Sequence, residues 1–163
     1  MRTLRIITAA LMAVGLSLSI ITTSQAATKD VSVVRVYHEA VTPTSVTGSG
    51  IGAVRTFFIP IAVDGTAADG QYLVGTLTTL AEDVGDGLEL RGSNLTFVFG
   101  EEANQLVVGG VSLYPPTGAT LAPGQRTVRP ILGGSGEYEG ARGQVVSTNL
   151  GPDGWTHVFR IRR

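Results

Sequence analysis

Short apolar, β-branched and aromatic runs separated by polar turn residues recur along the chain, and no stretch looks helical for long. The run Val-Ser-Val-Val-Arg-Val-Tyr at 31–37 is β-branched and aromatic and predicts a strand. Further strands are predicted over 55–63, 71–80, 105–113, 126–132, 143–149 and 155–162, and one strand or a pair over 88–91 and 94–99. Pro60 lies inside one of these runs and demands an edge, a bulge or a strand end there. Turn chemistry separates the runs: Asp64-Gly65, Asp69-Gly70, the acidic stretch 82–87, residues 100–104, and Gly151-Pro-Asp-Gly154. Residues 42–52 and 115–124 read as longer loops. Strands recurring every 8–12 residues or so, with no sustained helical period, predict an all-β sandwich or barrel of seven to nine strands. A closed antiparallel barrel also removes exposed sheet edges.

The N-terminus does not share this pattern. Arg2 and Arg5 precede an apolar run over 6–21, then polar 22–25, with Ser24 and Ala26 at small positions suited to cleavage. This predicts a secretory signal peptide over 1–26. The run is shorter than the ~20 residues of a membrane-spanning helix. Residues 27–163 then form the single domain. Without Arg2 and Arg5, 10 basic side chains face 13 acidic ones, a net charge of −3. Such a balance gives no electrostatic basis for nucleic-acid binding. The absence of cysteine excludes disulfides, Cys-based zinc sites and Cys nucleophiles. With only two histidines, no metal site is expected, and no cofactor.

Alternation divides the first strand into two faces. Val33, Arg35, Tyr37 and Glu39 share one, and Val34, Val36 and His38 the other. Trp155, His157, Phe159 and Ile161 share a face of the last strand and predict packing in a barrel or at a subunit contact. Asn94-Leu-Thr96 matches a glycosylation sequon. The segment from Arg129 to Val145 reads as a strand, a glycine turn containing Gly133, Gly134 and Gly136, a bulky turn, and a second strand. It opens no helix and lacks the Walker lysine, so it is not a phosphate loop.

This Gly-Gly-Ser-Gly segment, followed by Tyr138 and Ala141-Arg142-Gly143, resembles the motif shared by dirigent proteins and allene oxide cyclases. Val36-Tyr-His-Glu39 is similar to the opening of those families, and 97–100 and 106–110 lie in the expected order. The resemblance implies an eight-stranded antiparallel calycin-like β-barrel, usually trimeric, with an apolar pocket open at one end. It implies a secreted protein that holds a small hydrophobic or phenolic molecule and directs its coupling or cyclisation, with oxidation left to a separate oxidase. A non-catalytic binder and an allene oxide cyclase-like isomerase are the alternatives. Two registers are open on the first strand: one makes Glu39 the pocket acid, the other puts His38 in its place. The resemblance makes Glu39 and Arg142 the catalytic candidates, and Arg35, Tyr37, His38 and Tyr138 the substrate-binding ones. The missing cysteine departs from the allene oxide cyclase pocket.

Overall fold

The computed structural model describes residues 30–40, 42–116 and 120–163. Residues 1–26, expected from the sequence to be a signal peptide, lie outside them. Among the described residues nine strands form in chain order: β1 (Val31–His38), β2 (Ser45–Thr47), β3 (Val54–Val63), β4 (Thr66–Ala81), β5 (Glu89–Phe99), β6 (Glu101–Tyr114), β7 (Arg126–Ser135), β8 (Arg142–Asn149) and β9 (Trp155–Arg162). All pairings are antiparallel, in the order β1-β9-β8-β7-β6-β5-β4-β3-β2, and β1 also pairs with β3. That last pairing closes β1 and β3–β9 into an eight-stranded antiparallel barrel. The ninth strand, β2, lies within the stretch read from sequence as a loop and pairs only with the start of β3.

Closure is narrow. Only Val36↔Val63 and Tyr37↔Ala62 are paired across the β1–β3 seam, whereas β1 runs its full length against β9. Pro60 stands at a register shift between Pro60 and Ala62, where a residue without an N–H interrupts least. Gly92 does not divide its strand: β5 is continuous from Glu89 to Phe99, because both neighbouring strands pair with it throughout.

Inward side chains fill one half of the barrel. Phe97, Leu106, Val108, Phe159 and Ile161 are at most 1% exposed, and Val36, Ile59, Ile61, Ile131 and Val145 pack with them. Phe159 meets Phe97 edge-on at 4.8 Å. This half is capped by a 3-10 turn, Gly136–Tyr138, whose Tyr138 ring lies 4.7 Å from that of Phe99. The Gly-Gly-Ser-Gly segment makes the cap possible. A Cβ on Gly134 would stand 2.6 Å from the backbone oxygens of both Gln105 and Tyr138. Gly136 has φ +59°, and a Cβ there would meet Asn104 and the backbone of Ala103. The motif therefore serves close approach of backbone to backbone.

Among the described residues, no helix is long and apolar enough to cross a membrane.

Candidate functional site

The other half of the barrel is not filled. Strand alternation continues inward there, but with polar side chains: Arg55 on β3, Thr79 on β4, Glu89 and Arg91 on β5, Thr127 and Arg129 on β7, Ser147 and Asn149 on β8, His157 on β9 and His38 on β1 are all buried. Of these, His38, Arg55, Arg91, Arg129, Ser147 and His157 line a cavity of about 160 Å³. Ile59, Leu73, Leu77 and Leu95 form its apolar wall. Phe57, Tyr114 and Trp155 also line it, and a small cluster of Leu77, Tyr114 and Leu121 packs against Phe57 and Trp155.

Three arginines enter this space from alternate strands. Arg55 and Arg91 share one carboxylate: Glu89 Oε2 lies 2.8 Å from Arg91 Nε and 3.8 Å from Arg55 Nη2. Thr79 bridges the group, accepting from Arg55 Nη1 at 3.0 Å and donating to Glu89 Oε2 at 3.3 Å. The Arg91 guanidinium sits 4.6 Å over the Tyr114 ring, a cation–π contact. Burial, and then the nearby Arg91, push the Arg55 guanidinium below its ordinary range. Arg129 is held differently. It donates from Nε to Ser93 Oγ at 2.6 Å, from Nη2 to the Tyr114 hydroxyl at 2.8 Å, and from Nη1 to Thr127 Oγ1.

The two histidines face each other beside this group. Their rings stack with centroids 5.1 Å apart. His38 Nδ1 lies 2.7 Å from the Glu39 carbonyl oxygen, which can only accept, so Nδ1 carries the hydrogen and Nε2 is the bare nitrogen. Ser147 Oγ lies 2.8 Å from His157 Nδ1, and His157 Nε2 is buried without a hydrogen-bond partner among the described residues. Desolvation lowers the pKa of both rings, and His157 is pushed well below the usual 6.5, with His38 and Arg129 adding to the effect. Both imidazoles are therefore neutral at physiological pH, and His38 offers a base.

The sequence candidates are distributed unevenly around this cavity. His38 lines it. Arg35, Tyr37 and Glu39 fall on the exposed face of β1, because their parity is opposite to that of the buried Val36 and His38. Tyr37 and Glu39 line a groove of about 330 Å³ along the β1–β3 seam, which His38 also borders. Arg142 is exposed and donates from Nη1 to the Ala141 carbonyl at 2.8 Å. Tyr138 belongs to the cap at the opposite end of the barrel from the cavity, with Arg163 5.6 Å from its ring. Burial, and then Glu137, raise its pKa. Trp155, His157, Phe159 and Ile161 all turn inward, on the cavity or the core. Among the described residues no cluster of three or more metal-ligating side chains occurs.

Sequence reasoning missed Arg55, Arg91, Arg129, Glu89 and Tyr114. The available signal was parity. Arg55 is in step with Phe57, Ile59 and Ile61, Arg91 with Leu95 and Phe97, and Arg129 with Ile131. A charge in step with the apolar face of a strand points into the barrel.

The barrel has counterparts among solved structures. A pyocyanin demethylase superposes with a TM-score of 0.55 at 16% sequence identity, over 81% of this chain and 99% of its own. A pterocarpan synthase dirigent protein superposes with a TM-score of 0.55 at 14% identity, over 93% of this chain and 96% of its own. The fold is a dirigent-like barrel. No protein-family model and no curated protein matches the sequence.

Proposed function

We propose that this chain is a secreted dirigent-like barrel that holds a small, largely apolar or phenolic molecule in its cavity and directs the stereochemistry of its coupling or cyclisation. The observation that carries the reading is a cavity lined by both apolar and polar side chains. Ile59, Leu73, Leu77 and Leu95 supply apolar lining, and His38, His157, Tyr114 and Arg129 supply polar groups to the same space. A ligand in such a space has one orientation in which its polar group is satisfied, and restriction to one reactive conformer is itself catalytic. His38 Nε2 would accept a proton from the bound molecule, and Arg129 with Tyr114 would hold the oxygen on which charge develops. Oxidation, where the reaction needs it, belongs to a separate oxidase.

The demethylase and the pterocarpan synthase support a ligand-holding barrel, and the resemblance of the Gly-Gly-Ser-Gly segment supports the dirigent side of that pair. Self-association, as a trimer, is part of the proposal. Val111 and Leu113 on β6 and Val128 and Leu132 on β7 are each about half exposed on neighbouring strands, an apolar face suited to a second copy.

The test is product chirality. A panel of phenols is oxidised by an added one-electron oxidant with and without the chain. The reading expects an enantiomeric excess that depends on the chain and disappears in Leu95→Trp, which fills the cavity. Racemic products throughout, with saturable ligand binding, would instead indicate a binding protein.

A further inference from the structure

Charge in the cavity does not balance. Arg55, Arg91 and Arg129 are 8%, 2% and 2% exposed, and Glu89 is the one buried carboxylate among the described residues. Glu89 serves Arg91 and Arg55. Arg129 meets hydroxyls only, from Ser93, Thr127 and Tyr114. Both histidines are neutral and add no charge to this balance. Three guanidinium groups against one carboxylate leave an excess of two positive charges in a largely desolvated space. Buried charge is ordinarily paired, because its lost hydration is otherwise uncompensated.

Arg129 also has unused capacity. A guanidinium carries five N–H donors. Three are taken, on Nε, Nη1 and Nη2, which leaves one on each terminal nitrogen. Tyr114 accepts from Arg129 and keeps its own hydroxyl hydrogen to donate. Two terminal N–H groups and a phenol hydroxyl at one end of an apolar cavity match a planar oxygen anion, as guanidinium forks match carboxylates. A cavity of about 160 Å³ has room for one aromatic ring.

We infer that the cavity takes a monoanionic ligand, an aromatic body bearing a carboxylate, with the carboxylate seated on Arg129 and the Tyr114 hydroxyl and the ring against Ile59, Leu73 and Leu95. The inference rests on the proposed role of the cavity as a ligand site and narrows its chemistry. The neighbouring Arg55–Glu89–Arg91 group contributes the second excess charge and raises the positive potential at the same end.

Trp155 is the single tryptophan and lines the cavity, so its fluorescence reports occupancy directly. The full chain is titrated with 3-phenylpropanoate and with 3-phenylpropanol, which share a body and differ in charge. The carboxylate is expected to bind about tenfold tighter than the alcohol or better, the usual advantage of a charge-assisted hydrogen bond. Arg129→Gln is expected to bring the two affinities together, and Arg129→Lys to keep part of the difference. Should Arg129→Gln fail to fold, Tyr114→Phe retains the arginine and is expected to reduce the preference several-fold. Equal affinities in the wild-type chain would overturn the anion site and leave the cavity as a ligand site. Failure of both probes to bind would overturn both.

Discussion

His38 and His157 stack with ring centroids 5.1 Å apart inside the barrel, from strands β1 and β9 that pair directly. Among the described residues neither ring is hydrogen-bonded to a carboxylate. His157 faces Phe97 edge-on and Trp155 in a stack, contacts Ser147, and feels the charge of Arg129. Burial is the first cause of its depressed pKa, followed by His38 and then Arg129. In the unfolded chain both rings titrate near 6.5. Below that value the unfolded state binds more protons than the folded one, so stability rises with pH through this range and falls as pH drops beneath it. Urea midpoints are therefore expected to hold from about pH 8 to 7 and to fall between about pH 6.5 and 5. In His157→Gln the fall is expected to be smaller. A wild-type midpoint unchanged at about pH 5 would mean that the folded barrel accommodates the imidazolium.

Glu89 ties the cavity end together in the opposite sense. One carboxylate offsets two guanidinium groups at 2.8 and 3.8 Å, and its side chain is almost inaccessible. Removing it leaves Arg55 and Arg91 buried together without the carboxylate they share. Glu89→Gln is expected to cost about 3–5 kcal/mol, the range for breaking one side of a buried ion pair. Arg91→Met in the same background is expected to recover part of that loss, because one of the two repelling charges is gone. Denaturant midpoints of the single and double variants measure it. If the double variant is no more stable than Glu89→Gln, repulsion between the arginines is not what the carboxylate relieves.

The barrel was legible because alternation and turn chemistry agree along the chain. Val36, Phe97, Phe159 and Ile161 all lie inward, as their periods require. Strand ends were less legible. β2 forms from Ser45–Thr47 because β3 offers an open edge there, a tertiary circumstance that Thr-Ser-Val-Thr does not announce. The site divided along the same line. His38 could be named from its resemblance, but the choice between His38 and Glu39 needed one absolute fact, namely which face of β1 looks inward. Arg55, Arg91 and Arg129 are buried although isolated arginines on strands usually face solvent, so their residue type alone does not announce them. Arg142 lies inside a recognisable motif and is exposed.

Gly134 gives a sharper statement about that motif. Its missing side chain lets the cap over Gly136–Tyr138 settle onto β6, with two backbone oxygens only 2.6 Å from where a Cβ would be. Neither oxygen can move without disturbing a strand or the turn itself. Gly134→Ala is expected to destabilise the chain by about 1–3 kcal/mol, the usual cost of overpacking. Ligand affinity at the far end of the barrel is expected to persist wherever the variant is folded. Thermal denaturation and Trp155 titration, run on the same sample, separate the two effects. A Gly134→Ala chain of wild-type stability would mean that the cap is not packed as tightly as these distances state.

The C-terminal end of the first strand makes the last prediction. His38 and Glu39 are neighbours in sequence, but alternation sends His38 into the cavity and Glu39 to the outer seam. If the proposed stereocontrol takes place in the cavity, the product ratio depends on the inward member. His38→Gln keeps a polar side chain of similar size and removes the basic nitrogen. It is expected to slow a proton-dependent cyclisation about a hundredfold, the lower range for loss of a general base, and to shift the enantiomeric ratio. Glu39→Gln and Arg142→Ala alter exposed groups and are expected to leave both rate and ratio at wild-type values. Chiral chromatography of the products, with a urea midpoint for each variant, distinguishes a lost base from a lost fold. A shift in ratio with Glu39→Gln and none with His38→Gln would move the chemistry from the interior to the β1–β3 seam, where Tyr37 and Glu39 border the outer groove.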